Sequence, residues 1–444
     1  LMRATGFGYE VREFTHSYQS MIDEMHIAEQ ERYSQLAQQV DYFCSEGSLT
    51  FKQGTGKLLS KNDVQITTDS GTEVITADYI VLATGSRPRK LKHIPIDEKI
   101  ILTSDGITGL DSFPESIVIL GAGVIGCEFA TILSNFERTR VFLIDKQIRI
   151  LPFEDEDIAE IVAGKLQEKG VVIHREADLI SMEIKDGKVE YQLRYPDGTT
   201  ETHMVDKALI SVGRVPNTEG LGLEDIGIMT TGQNFCESTD CTTNIPNVFA
   251  VGDLTADIAL VNIAELEGRY AVEKAYGMAS GPVNYSNVST IMFLNPEVAA
   301  VGMNELQARK AGIAYRVASI DFTFISRAIA KRRKTGVFKI LVSDDDDMRI
   351  LGIRAVGTHS SSNIQAMALL IHMNKGIHEL AEMVHAHPSM PEGVQECARM
   401  LLGKSILKPE VFSQLKCYRV SAEGEVEALI KGQSAILRTS IDRK

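Results

Sequence analysis

Short apolar runs bounded by glycine alternate along this chain with stretches in which apolar residues recur every three or four positions. That alternation predicts strands threaded between helices. Met21, Met25, Ile27, Leu36, Val40 and Phe43 carry the helical spacing over Ser20 to Phe43. A turn-rich β stretch follows and ends in the run Tyr79 to Gly85. Further runs predict strands at Ser116 to Leu120, Val141 to Ile144, Lys207 to Gly213 and Ile245 to Val251. Helices are expected over Ile158 to Lys169 and up to about Met278, and Asp197-Gly198 reads as a hairpin turn. From Asn287 the texture shifts to an α+β pattern, and from Lys408 the chain reads as an appended tail.

One junction is chemically specific. Gly121-Ala122-Gly123-Val124-Ile125-Gly126 follows one predicted strand and opens a predicted helix. Asp145 stands nineteen residues beyond Gly126, at the end of the next strand. This is a dinucleotide fingerprint in context: glycines let the backbone approach a pyrophosphate, and the helix start offers it free N–H groups. A carboxylate at Asp145 would accept the ribose hydroxyls and repel a 2′-phosphate, which favours NAD, although Lys146 and Arg149 lie close by.

Composition narrows the partners. The 444 residues carry a net charge of −14, which argues against nucleic acid or anionic membrane as a partner. Apolar residues make up 44%, but no uninterrupted run of about 18 occurs, so no membrane-spanning helix is expected. Six dispersed cysteines suggest reduced thiols in a cytoplasmic setting. Cys236 and Cys241 have C-x4-C spacing but lack a helix N-terminus to activate a thiol, so isolated thiols are expected. The run Asp344 to Asp347 reads as a solvated hairpin tip.

Four signals stand in order: Ala83-Thr84-Gly85, the glycine turn, Gly213-Arg214-x-Pro216-Asn217, and Ala250-x-Gly252-Asp253. In this order the chain resembles the flavoprotein disulfide reductases, the class I pyridine nucleotide-disulfide oxidoreductases, from Leu1 to about Leu407. The segment His385-Ala386-His387-Pro388-Ser389-Met390-Pro391-Glu392 is closest to the signature of the dihydrolipoamide dehydrogenases. The resemblance implies an α/β fold of two Rossmann-like dinucleotide-binding domains, the FAD one incomplete, plus a C-terminal α+β dimerisation domain. It divides the chain into a first FAD part (1–112), an NAD domain (113–216), a second FAD part (217–286), a dimerisation domain (287–407) and a C-terminal extension (408–444).

The same resemblance implies roles. Thr84, Gly85 and Asp253 would belong to the FAD site, with Leu260 and Val261 approaching the flavin ring, and Gly213, at a strand end, would lie close to a cofactor. Gly121, Gly123, Val124, Ile125, Gly126 and Asp145 would hold NAD. His387 would take the proton of a dithiol, with Glu392 as its orienting partner, and His385 would be structural. Glu128 matches a glutamate that pairs with a lysine just beyond the family's redox cysteines. That lysine, the cysteine pair and the FAD glycine fingerprint find no match here, and Leu1 to Ala4 resembles the helix that follows the pair. The expectation is therefore of family residues missing upstream, and of a chain that alone binds FAD poorly and reduces no disulfide.

The implied activity is oxidation of dihydrolipoamide by NAD+ through an enzyme disulfide and FAD, by a homodimer that serves lipoyl-bearing 2-oxoacid dehydrogenase complexes. A soluble pyridine nucleotide transhydrogenase is the alternative, but that group lacks the histidine at 387. A mercuric-ion reductase lacks it too and would want a terminal cysteine pair. A nucleotide-binding remnant without activity is the remaining reading. Asn262 departs from the histidine that many dihydrolipoamide dehydrogenases carry.

Overall fold

A computed structural model describes residues 17–256 and 258–430. Helix α1 (Tyr18–Ser45) opens it, with the Ser17 hydroxyl accepting the Ser20 N–H at its start. Strands β1 (Thr55–Leu58), β2 (Asp63–Thr68) and β3 (Gly71–Thr76) form an antiparallel meander. Then come β4 (Ile80–Leu82), β5 (Ser86–Pro88) and β6 (Ile101–Thr103). The alternating core that follows is β7 (Ser116–Leu120), α2 (Val124–Asn135), β8 (Arg140–Ile144), α3 (Glu156–Glu168) and β9 (Val172–His174). A second meander, β10 (Asp178–Lys185), β11 (Lys188–Arg194) and β12 (Thr200–Val205), leads to β13 (Lys207–Ile210) and β14 (Arg214–Pro216).

Strands β6, β13, β7, β8 and β9 form one parallel sheet in that order. Both faces are covered, so its strands are apolar throughout. Ile117 and Ile119 of β7 and Leu143 of β8 pack against α2 and α3. Val118, Phe142 and Ile144 face the opposite way, onto Met182, Tyr191 and Leu193 of the second meander. The period of two along each strand thus splits one apolar run between two cores.

Strand β15 (Val248–Ala250) pairs in parallel with β4, and helix α4 (Val261–Ala275) follows. The remaining elements are β16 (Ser289–Met292), β17 (Val298–Gly302), α5 (Glu305–Lys310), β18 (Tyr315–Asp321), α6 (Ser326–Ala330), β19 (Val337–Ser343) and β20 (Ile350–Val356). Then come α7 (Ser360–Asn363), α8 (Gln365–His372), α9 (Ile377–Glu382), α10 (Pro391–Leu401), β21 (Leu415–Val420) and β22 (Val426–Ala428). Their seven strands form one antiparallel sheet ordered β16-β17-β20-β19-β18-β21-β22. Ala318 and Ile320 of β18 face α10, whereas Tyr315 and Val317 face α5.

Two expectations are corrected here. The described part of the segment after Lys408, as far as Ile430, is no appendage: β21 zips along β18, and Leu415, Cys417 and Val420 are buried. Nor is the aspartate run wholly solvated. Asp344, 4% exposed, accepts from the guanidinium groups of Arg316 and Arg419, while Asp346 and Asp347 face solvent.

The two large units are tied by buried charge. Lys339 of β19, 1% exposed, bonds Asp155 at 3.0 Å and Asp157 at 2.8 Å beside the start of α3, together with Glu305 of α5. Glu154 meets Arg354 of β20 at 2.9 Å. Burial opposes the Lys339 charge, but Asp157, Glu305 and Asp155 together hold its pKa well above the ordinary value. Glu305 is held down to about 2, its burial outweighed by Lys339 and by hydrogen bonds.

Candidate functional site

The glycine turn runs from the end of β7 into α2. Gly121 has φ +100°, and a Cβ there would lie 2.6 Å from the Ser211 carbonyl oxygen. A Cβ on Gly126 would lie 1.9 Å from the Gly121 oxygen, so the helix can approach its strand only through glycine. Gly123 differs. It is the N-cap of α2, makes no side-chain cap bond, and a Cβ there would project into open space. The N–H groups of Val124, Ile125 and Gly126 in the first turn are therefore uncapped by any side chain and open toward a phosphate. The turn fits a dinucleotide pyrophosphate.

Asp145 stands at the end of β8, half-buried. Its Oδ2 accepts the Ala122 N–H at 2.8 Å and its Oδ1 accepts the Gln147 N–H at 2.9 Å. The carboxylate fastens the glycine turn to the neighbouring strand and keeps further lone pairs for a ribose. Arg149 is committed internally, donating to the Pro152 and Glu154 carbonyls at 3.2 and 3.1 Å. Lys146 stays exposed. Glu128 is not a solvated helix glutamate. Its Oε1 accepts the Phe293 N–H at 2.8 Å, and burial raises its carboxyl despite that bond.

The other three signals converge at the antiparallel pair of β5 and β14. Gly213 (φ +97°) presents its carbonyl to the Arg89 N–H at 3.0 Å. Arg214 Nε donates to Ser86 Oγ at 2.7 Å, and Ser86 Oγ–H donates to Asp253 Oδ2 at 2.6 Å. Thr84 Oγ1–H donates to the Asn217 carbonyl at 2.7 Å, and Asn217 Nδ2–H donates back to the Thr84 carbonyl at 2.9 Å. Asn217 N–H also bonds the Gly85 carbonyl at 2.9 Å.

Asp253 sits in a single 3-10 turn, Gly252–Leu254, after β15. Beneath it Glu267, 1% exposed, accepts the Gly252 N–H at 2.6 Å and the Tyr285 hydroxyl at 2.8 Å. Leu260 is the N-cap of α4, and Val261, its first residue, is 87% exposed. Thr84, Gly85 and Asp253 are thus drawn together through Asn217 and Ser86, an arrangement that fits part of an FAD. Ser86 and Glu267 escaped the sequence reading. Ser86 lies 128 and 167 residues from the groups it holds and Glu267 lies 15 and 18 from its own, and no motif marks either.

His387 and Glu392 form a separate site before and within α10. His387 Nδ1 lies 2.7 Å from Glu392 Oε1, and the Ser389 N–H reaches Glu392 Oε2, also at 2.7 Å. The peptide bond from His387 to Pro388 is cis. Burial raises the Glu392 carboxyl, but the bonds from His387 and Ser389 outweigh it and the pKa falls below the ordinary value. An ionised Glu392 can only accept, so Nδ1 carries hydrogen, and in the neutral ring that leaves the lone pair on Nε2. The His387 side chain is 70% exposed. Burial lowers the pKa of His385, whose Nε2 is buried without a partner, consistent with a neutral packing residue.

No described cysteine is in a disulfide, and Cys236 and Cys241 are both buried. Burial pushes the Cys236 thiol up to about 11, far from a reactive thiolate. Leu1 to Ala4 lie outside the described residues. Among the described residues no helix is long and apolar enough to cross a membrane.

Comparison with known proteins gives consistent results. Residues 6–268 match the pyridine nucleotide-disulphide oxidoreductase family, and residues 288–398 match that family's dimerisation domain. A protein of Bacillus subtilis named dihydrolipoyl dehydrogenase is 31% identical over 382 residues, covering 84% of this chain and 80% of its own. The mitochondrial dihydrolipoyl dehydrogenase of Dictyostelium discoideum is 32% identical over 378 residues, 84% of this chain and 77% of its own. Among solved structures, LpdA of Mycobacterium tuberculosis superposes with a TM-score of 0.80 at 26% identity, over 90% of this chain and 86% of that one.

Proposed function

Because this chain belongs to the pyridine nucleotide-disulphide oxidoreductase family, we propose that it oxidises dihydrolipoamide, passing two electrons through an enzyme disulfide and FAD to NAD+. The chain is an enzyme of the dihydrolipoyl dehydrogenase-like group, whose cofactors are FAD and NAD(H). The observation that carries the dithiol reading is the His387–Glu392 pair at 2.7 Å, with Nε2 left free. None of the six cysteines is assigned to the disulfide.

Bound FAD supplies a two-electron relay and bound NAD+ a hydride acceptor. In this reading Gly121, Gly123 and Gly126 bring backbone against the NAD pyrophosphate, Val124 and Ile125 line the first turn of α2, and Asp145 accepts from the ribose. Thr84, Gly85, Gly213 and Asp253 line the FAD side, with Leu260 and Val261 toward the flavin ring. A thiolate, not a thiol, is the nucleophile toward a disulfide, so a base must take the thiol proton. His387 Nε2 takes it, and the Glu392 carboxylate holds the ring and stabilises its cationic form. Oxidation of the dithiol releases two electrons and two protons. NAD+ takes up both electrons with one proton as hydride, and one proton leaves to solvent.

The dimerisation domain fits the chain for pairing with a second copy. Exposure of His387 suits presentation to a site completed by that copy. Lipoyl-bearing 2-oxoacid dehydrogenase components are the proposed partners, in a cytoplasmic setting.

The test is steady-state NAD+ reduction by dihydrolipoamide on FAD-loaded protein that also carries the family's redox cysteine pair. His387→Gln should lower kcat by about 10²- to 10⁴-fold, the contribution of a positioned base. NADH oxidation by ferricyanide needs no thiol base and should change by less than about twofold. A wild-type protein that ignores dihydrolipoamide yet moves hydride from NADH to NADP+ would hand the reading to the transhydrogenase alternative.

A further inference from the structure

A cleft of about 880 Å³ lies where α3 meets the seven-stranded sheet, far from any role in the chemistry above. One wall is the end of α3 and the turn after it, Lys165 to Gly170; the other is the loop 332–335 that follows α6, together with 357–359. Its charge is anomalous. On a chain of net charge −14, three residues of the longest run of consecutive basic residues, Lys331 to Lys334, sit on this rim: Arg332, Arg333 and Lys334.

The carboxylates of the cleft are already engaged. Glu168 pairs with Lys165 at 2.5 Å, Glu137 pairs with Lys169 at 3.1 Å, and Glu297 accepts the Ser361 N–H at 2.7 Å. Arg332, Arg333 and Lys334 are exposed, and no ion pair or side-chain hydrogen bond is made by any of them among the described residues. Elsewhere arginines are mostly taken: Arg175 by Glu160, Arg316 and Arg419 by Asp344, Arg354 by Glu154. The charge left without an opposite partner in this cleft is therefore three cations against the single carboxylate of Glu297, net positive. Arg332 (φ +53°) and His359 (φ +62°) face it from the left-handed backbone region, which non-glycine residues seldom occupy.

We propose that this cleft binds a small molecule bearing two or more phosphate groups, of nucleotide size, independently of the NAD and FAD sites. Its volume falls within the range of about 300–1,000 Å³ typical of small-molecule sites. The planar guanidinium groups of Arg332 and Arg333 match phosphate oxygens two at a time, and Lys334 adds a point charge. A ligand there touches α3 of the nucleotide unit and a loop of the sheet unit together, so its occupancy is linked to how firmly the two are joined.

The experiment uses inorganic triphosphate as probe, titrated calorimetrically into the protein saturated with NAD+ at two salt concentrations. One site per chain is expected, weakened by salt. The triple variant Arg332→Ser, Arg333→Ser, Lys334→Ser should lose affinity about tenfold or more, with NADH binding unchanged as the sign that it folds. A control, Lys61→Ser, Lys92→Ser, Lys404→Ser, removes three exposed lysines elsewhere and should leave affinity within about twofold. Equal affinity in the triple variant, equal loss in the control, or no saturable binding to the wild type would overturn the proposal.

Discussion

Glu128 holds a carboxylate half-buried against one backbone N–H and, among the described residues, no cation. Burial raises its pKa, so the folded chain binds this proton more tightly than the unfolded chain, and ionisation above the ordinary carboxylate value costs stability. Glu128→Gln keeps the oxygen that accepts the Phe293 N–H and removes that penalty. Its melting temperature at pH 7 should equal or exceed the wild type; a loss of more than about 1 kcal/mol would sink the account. At this scale the glycine turn, Asp145 and His387 were legible in the sequence, because each stands at a fixed spacing within a recognisable motif. Ser86 was not, since its partners Arg214 and Asp253 lie 128 and 167 residues along the chain. Nor was the internal commitment of Arg149, which depends on how the loop after β8 folds back.

The turn from β7 into α2 separates two uses of glycine. Gly126 is needed for packing, since a Cβ would strike the Gly121 oxygen at 1.9 Å, whereas a Cβ on Gly123 meets nothing within 4 Å. Gly126→Ala should therefore destabilise the fold by about 1–3 kcal/mol, as overpacking does. Gly123→Ala should keep its melting temperature and lose NADH affinity by about tenfold or more, a penalty of about 1.4 kcal/mol. Thermal unfolding and NADH fluorescence titration on both variants separate the two. Equal destabilisation would mean that the open face of Gly123 is not a ligand face. Element identity was readable where apolar runs are continuous, as in β7, β8 and β13. It failed at β21, whose sequence Leu-Lys-Cys-Tyr-Arg-Val interleaves charges. Such a strand is specified by its pairing with β18, which sequence alone does not display.

Across the whole molecule, the buried cluster around Lys339 joins the nucleotide unit to the seven-stranded sheet. Glu305, held to about 2 in the folded chain against an ordinary 4.5, takes its proton first in the unfolded chain as pH falls. Its stabilisation is complete above about pH 4.5 and is lost as pH drops toward 2. Burial holds Asp155 above its ordinary value, which works the other way. Glu305→Gln should cost about 1–3 kcal/mol at pH 7, by loss of charge-assisted hydrogen bonds, and the gap to wild type should shrink at pH 3. Urea unfolding at pH 7, 5, 4 and 3 measures it, and a gap independent of pH would refute it. Strands β5 and β14 bear on something else. They lie on either side of everything from residue 89 to 213, and Arg89 N–H bonds the Gly213 carbonyl at 3.0 Å. Entrance and exit of that stretch thus share one doorway. The stretch is a cassette held twice, by this backbone doorway and by the buried pairs of Asp155, Asp157 and Glu154 with the seven-stranded sheet.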